Sequence, residues 1–242
     1  MYKHIQVLTR PESSLQPLWR YLSLERLLQL LAGKYLWFTH LPRLTDGLEG
    51  TLTRLTHERL VAYFLAQGSS LADATAEVHE YERHREEFFV NCWHMSRSES
   101  YLMWRVYADR GLAVETNFER LQLALDADAA ETHGTVVEYR DFAREHLAVG
   151  NIFTAVKTKD IPYQDEREFR LLLWQPDEFG RETVQRPLGI KVHVDVRALV
   201  ERIYVSPRFR GDLTRLRHEL SRAGVACDVL SSSVRERPDN SV

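Results

Sequence analysis

The sequence predicts a single α+β domain over residues 1–230, with a mixed, mainly antiparallel sheet flanked by helices. Three observations carry that prediction. Strand-like segments recur from residue 18 to residue 230, with helical segments between several of them. No repeat, low-complexity run or linker divides the chain. Hydrophobic residues make up 44% of the 242, enough for one sizeable core.

The elements follow from local patterns. Leu18-Trp19-Arg20-Tyr21 has strand character, and Ser23 is placed to cap a helix whose Leu24, Leu27, Leu28 and Leu31 keep helical spacing until Gly33. A second strand, Tyr35 to Thr39, runs into a breaker-rich loop from His40 to Gly50. Two polar helices are expected at 52–66 and 71–87, the second ending in a charged run that reads as a solvated face. Phe88 to Trp93 is a strand by its aromatic and β-branched content, and Ser98 is the expected cap of the helix that follows. Leu112 to Asn117 returns as a strand after Gly111. Further strands are expected at Thr135 to Tyr139, Phe169 to Trp174, Ile190 to Val194, Ile203 to Val205 and Val225 to Leu230. Helices are expected near 118–126, 142–155, 196–201 and 209–222. The last third has the pattern of a βαβ-like flank on the same sheet. Residues 231–242 lack any apolar period and are expected to form a flexible C-terminal tail.

Composition excludes several classes. Met1 to Gln6 lacks the apolar stretch of a signal peptide, and no hydrophobic run is long enough to span a bilayer, so a soluble, cytoplasmic protein without a membrane partner is expected. Cys92 and Cys227 match no metal or redox spacing, and the ten histidines show no ligand spacing, so no metal is expected. A net charge of -3 gives no global attraction to nucleic acid, although only five of the 32 basic residues are lysine. There is no glycine-rich phosphate loop and no Gly-x-Ser-x-Gly elbow.

The stretch richest in chemistry is Asp165-Glu166-Arg167-Glu168-Phe169-Arg170, which opens into Leu171-Leu172-Leu173-Trp174. On one strand Glu166, Glu168 and Arg170 would share a face, with the carboxylates about 6–7 Å apart, while Phe169, Leu171 and Leu173 share the other. Surface ion pairing is the plain explanation of such a cluster, and it contributes little. Two more polar points stand at strand ends, Arg20-Tyr21 and Ser96, and all three converge on a cleft if their strands are neighbours. Tyr101, Trp104 and Tyr107, three apart on a helix, serve either as core or as a stacking wall for a nicotinamide or adenine ring. The arginines between 208 and 222 alternate with Asp212 and Glu219 and read as a solvated face.

Leu18-Trp19-Arg20-Tyr21, Tyr35 to Thr39 with Thr45-Asp46-Gly47-Leu48-Glu49, Leu102-Met103-Trp104 with Tyr107-Ala108 and Gly111, and Glu166-x-Glu168-Phe169-Arg170 together resemble a bacterial family of unknown function associated with abortive phage infection. The chain departs from that pattern at Thr45-Asp46-Gly47, where the family has Asn-Asp-Pro, and at Asp109-Arg110, where it has His-Lys. The order Arg20, Ser96, Glu166-x-Glu168 is also similar to the motif order of mono-ADP-ribosyltransferases, although the serine motif is reduced to Met95-Ser96.

That resemblance implies an ADP-ribosyltransferase-like fold and an NAD-dependent enzyme, with NAD as substrate and no metal. Glu168 would stabilise the oxocarbenium-like ribose and Glu166 would polarise the acceptor. Arg20, Tyr21, Ser96, Trp104, Tyr107 and Arg170 would bind NAD. The implied role is a toxin or phage-defence effector modifying nucleic acid or protein, with a neutralising partner protein. The alternative is a non-enzymatic sensor or partner-binding module of a bacterial defence system, with Glu166, Glu168 and Arg170 as a structural ion-pair network. Divalent-ion phosphodiester chemistry on Asp46 and Glu168 lacks a second acidic motif at suitable spacing.

Overall fold

The computed structural model describes residues 1–176 and 186–235. β1 (Pro17–Leu22) passes through Ser23 into α1 (Leu24–Gly33). The Ser23 side chain accepts from the Arg26 amide, and Lys34, at φ 50°, closes the helix in the left-handed region. β2 (Tyr35–His40) leads by a long loop to the helical hairpin α2 (Arg54–Ala66) and α3 (Leu71–Arg83), capped by Thr53 and Ser70. After a 3-10 turn come β3 (Phe88–Met95), α4 (Tyr101–Tyr107), β4 (Leu112–Asn117) and α5 (Phe118–Leu125). Short pieces follow: β5 (Thr132–Val136), β6 (Glu138–Arg140), α6 (Phe153–Val156) and β7 (Thr158–Asp160). The chain ends with β8 (Glu168–Trp174), β9 (Gly189–His193), α7 (Val196–Leu199), β10 (Arg202–Val205), α8 (Leu213–Ala223) and β11 (Asp228–Ser231).

The fold is α+β with a mainly antiparallel sheet, in the order β11-β10-β4-β1-β3-β2-β9, and β8 and β5 extend it from the other edge of β3. β10 and β11 pair in parallel around α8, so the βαβ-like flank is present on the same sheet. β3 is where the sheet divides. One edge is paired with β8 from Phe88 to His94. On the other edge β2 holds Phe89 and Val90, while β1 holds His94 and Met95. Between those contacts the two strands splay apart.

The larger core lies on the face covered by α1, α5, α7 and α8, where Leu18, Leu22, Phe169, Leu171 and Leu173 meet Leu27, Leu121, Leu199 and Leu216. The opposite face carries separate clusters. Trp19 and Tyr21 pack on Met103 and Trp104 of α4, while Phe88, Val90 and Leu172 pack on Phe153 and Val156 of α6. A gap therefore remains on this face between α4 and α6. The strict alternation of β8 puts Leu172 on this side and Phe169, Leu171 and Leu173 on the other.

Several elements differ from the sequence expectation. The cap of α4 is Ser100, whose hydroxyl accepts from the Met103 amide, while the Ser98 amide is held by Ser96 Oγ. The expected helix 142–155 shrinks to α6 because side chains capture its amides: Asp141 takes that of Ala143, Thr56 that of Leu147, and Asn151 that of Phe153. The expected strand 135–139 is two strands, since the Val137 amide turns to the Glu168 carbonyl and β6 then pairs with β7. The expected tail is anchored at its start: Ser231 ends β11, and Ser232 and Ser233 hydrogen-bond Glu99. The rest of it, residues 236–242, lies outside the described residues.

Phe169 is fully buried, with its ring edge-to-face on Phe118 at 5.3 Å. Phe169→Ala is expected to lower the unfolding free energy by about 3–5 kcal/mol in denaturant titration.

Candidate functional site

The site is assembled where β3 divides. β1 and β8 both pair with β3, so the strands carrying Arg20 and Glu168 flank the strand that ends just before Ser96. At the divide, Arg20 Nη1 donates to the Cys92 carbonyl at 2.7 Å, and its guanidinium lies 5.8 Å from the centre of the Trp93 ring. Asn91 links β3 to β2 there, donating to the Trp37 carbonyl and accepting from Trp93 Nε1. Burial pulls Arg20 down to about 10, opposed by Cys92 and Glu168, so it remains a cation at neutral pH.

Beside this stands a buried ion cluster. Arg170 grips Glu168 with both arms, Nε at 2.6 Å from Oε1 and Nη2 at 3.0 Å from Oε2. The same Nη2 lies 2.9 Å from Glu49 Oε2, and Nη1 donates to the Val156 carbonyl at 2.9 Å. Lys159 Nζ reaches Glu49 at 2.9 Å, Glu166 at 2.6 Å and Glu168 at 3.5 Å. Three carboxylates thus face two cations, a formal excess of one negative charge that borders Arg20.

Glu166 is not on the strand as expected. It ends the 3-10 turn Ile161–Glu166, and Arg167, at φ 41°, turns the chain so that β8 begins at Glu168. Lys159 and the Tyr107 hydroxyl, which donates to Glu166 Oε1 at 2.7 Å, nevertheless draw it to the cluster. The Glu168 amide donates to the Tyr139 hydroxyl at 2.8 Å and so fixes the strand end.

Titration behaviour follows from this packing. Burial alone would raise Glu168, but the Arg170 charge and hydrogen bonds, with Lys159, outweigh it and hold the carboxyl at about 2. Lys159 is buried too, yet Glu168, Glu49 and Glu166 raise it. Burial and Glu166 raise Tyr107, which stays a phenol donor. Burial lowers His94, and because its Nδ1 faces the Glu166 carbonyl at 2.7 Å, that nitrogen carries the proton and Nε2 is left an acceptor.

A cavity of ≈ 370 Å³ opens over the cluster, lined by Arg20, Tyr21, Tyr107, Lys159, Glu166 and Glu168, with Asp46 and Glu49 on one wall. A second cavity of ≈ 570 Å³ adjoins it, sharing Arg20, Tyr21, Arg26 and Thr39 and adding Arg43 and Trp37. One end of the combined cleft is rich in guanidinium groups and the other in carboxylates. Of the eight sequence-derived site residues, Arg20, Tyr21, Tyr107, Glu166 and Glu168 line it together.

The other three stand elsewhere. Ser96 gives its carbonyl to Trp19 Nε1 and lines a separate groove with Tyr139 and Arg167, which reaches Glu168 from another side. Trp104 is buried edge-on against Tyr21 at 4.9 Å, its Nε1 on Glu99, so it supports the aromatic wall from behind. Arg170 has no exposed surface and lies beneath the floor.

Lys159, Tyr139, His94 and Arg26 also belong to the site although no sequence pattern marks them, and Glu49 stands in sequence only as the end of the Thr45–Glu49 motif. The one available signal is Lys159 itself, one of only five lysines among the 32 basic residues. Its partners are far away in sequence and no spacing rule joins them.

Because the folded value of Glu168 lies below the usual 4.5, its contribution to stability is complete above that value and is lost as the pH falls toward 2. Denaturation midpoints measured from pH 7 to pH 2 are expected to fall mainly below about pH 4.5. Arg170→Met, which leaves the buried Glu168 and Glu49 with Lys159 as their remaining cation, is expected to cost about 3–5 kcal/mol in the same assay.

No family model and no curated protein matches the chain.

Proposed function

We propose that the chain is an NAD-dependent ADP-ribosyltransferase-like enzyme with the matching fold, acting in the cytoplasm as a toxin or phage-defence effector on a nucleic acid or protein acceptor. The observation that carries this reading is the charge polarity of the cleft, with Arg20 and Arg26 where the two cavities meet, Arg43 beyond them, and Glu166 and Glu168 at the other end. NAD has the complementary polarity. Its diphosphate suits the guanidinium groups, and its nicotinamide ribose gains positive charge as the glycosidic bond breaks.

In this scheme Arg20 and Arg26 hold the diphosphate and Tyr21 and Tyr107 flank the rings. Glu168, ionised down to about pH 2, is a fixed negative charge for the oxocarbenium-like centre. Nicotinamide leaves with the bonding electron pair, and the acceptor's nucleophile attacks the anomeric carbon. Glu166 is less deeply buried than Glu168, with 19% of its side chain exposed, and suits the role of polarising that nucleophile. No helix among the described residues is long and apolar enough to cross a membrane.

One observation favours the partner-binding module instead: both oxygens of Glu168 are already bonded to Arg170. The two readings separate on nicotinamide release. Purified protein with NAD and cell extract is expected to release nicotinamide, and NAD is expected to raise the melting temperature. Glu166→Gln should cut release by about 10²-fold while keeping the NAD shift, and Arg20→Gln should lose the shift. Absence of both release and shift in the wild-type chain would contradict the enzyme and leave the module.

A further inference from the structure

Outside the cleft, the α2–α3 hairpin brings together three side chains with metal-ligand chemistry. His57 on α2 and His79 and Glu82 on α3 each offer a ligand atom, and these atoms all lie within 4.8 Å of one another. The two imidazole rings meet edge to face at 5.6 Å, and His79 Nδ1 is 3.7 Å from Glu82 Oε2. Nothing in the linear spacing reveals this group, because the two histidines approach across a helical hairpin.

We propose that His57, His79 and Glu82 form a binding site for a borderline divalent transition ion of the zinc class, with water in the fourth position. The donor set is two imidazole nitrogens and one carboxylate oxygen, which suits zinc, cobalt or nickel and not the oxygen-seeking magnesium or calcium. Tetrahedral ligation at about 2.0–2.1 Å requires donor atoms roughly 3.4 Å apart, so modest side-chain rotation closes the set. Glu82 is already oriented, since its Oε1 accepts from the Leu52 amide at 3.2 Å, the outer-shell support that metal-binding carboxylates use. His79 and Glu82, three apart on one helix, point the same way.

The hairpin also has reason to use such a clasp. Thr56 is the one buried residue of α2, and the contact with α3 rests on half-buried Leu60, Val61 and Phe64 around Val78. An ion tying His57 to His79 would hold the two helices together where apolar packing is thin.

The test is isothermal titration of ZnCl2 into the full-length chain, with MgCl2 as control, paired with thermal melts. The expected result is one zinc per chain, a raised melting temperature and no heat with magnesium. Outer-shell losses cost metal sites about 10–100-fold in affinity, so His57→Ala and His79→Ala should each weaken binding by at least that much. Glu82→Gln should weaken it less, and the double histidine variant should bind no zinc while melting like the metal-free wild type. Zinc binding that survives in the double variant, or no stoichiometric binding in the wild type, would overturn the proposal.

Discussion

The bidentate pairing of Arg170 with Glu168 is the interaction on which the functional face depends. Both groups are almost wholly out of water, and each would be costly to bury alone. Their pairing, extended by Glu49 and Lys159, ties together four separate parts of the chain: the loop after β2, β7, the 3-10 turn and β8. Glu49, Lys159, Glu166 and Glu168 line the cleft above Arg170. A buried pair of this kind is weak evidence for extra stability, since an apolar replacement would pack as well. Its value here is that it fixes a carboxylate in its charged form at a chosen place.

The second constraint is topological. β3 carries two strands on one edge, and the wedge between β1 and β2 leaves room for a side chain to pass from one face of the sheet toward the other. Arg20 occupies that wedge. Leu18 and Leu22 on its own side enter the larger core, whereas Trp19 and Tyr21 face α4, so a guanidinium at the seam borders both cavities. Charge separation along the cleft therefore follows from sheet geometry together with the ion cluster, and neither would produce it alone.

Much of this was legible in the sequence where the cause was local. The alternation Phe169, Leu171, Leu173 marked the core face of β8, and Ser23 marked the start of α1, because side-chain period and cap chemistry act over a few residues. The failures have local as well as non-local causes: Asp141 and Asn151 capture amides two residues away, and other amides and charges find partners far along the chain. Helix 142–155 was lost when Thr56, from another helix, captured the Leu147 amide. Glu166 left the strand face because Arg167 turns the chain, and Lys159 joined the site through partners that no spacing connects. Ser96 kept its expected place in sequence order but points its chemistry into a different groove.

The most direct test is a crystal structure of the chain soaked with NAD. The diphosphate is expected against Arg20 and Arg26, with the nicotinamide ribose beside Glu168. NAD bound elsewhere, or an empty cleft at saturating NAD, would contradict the account.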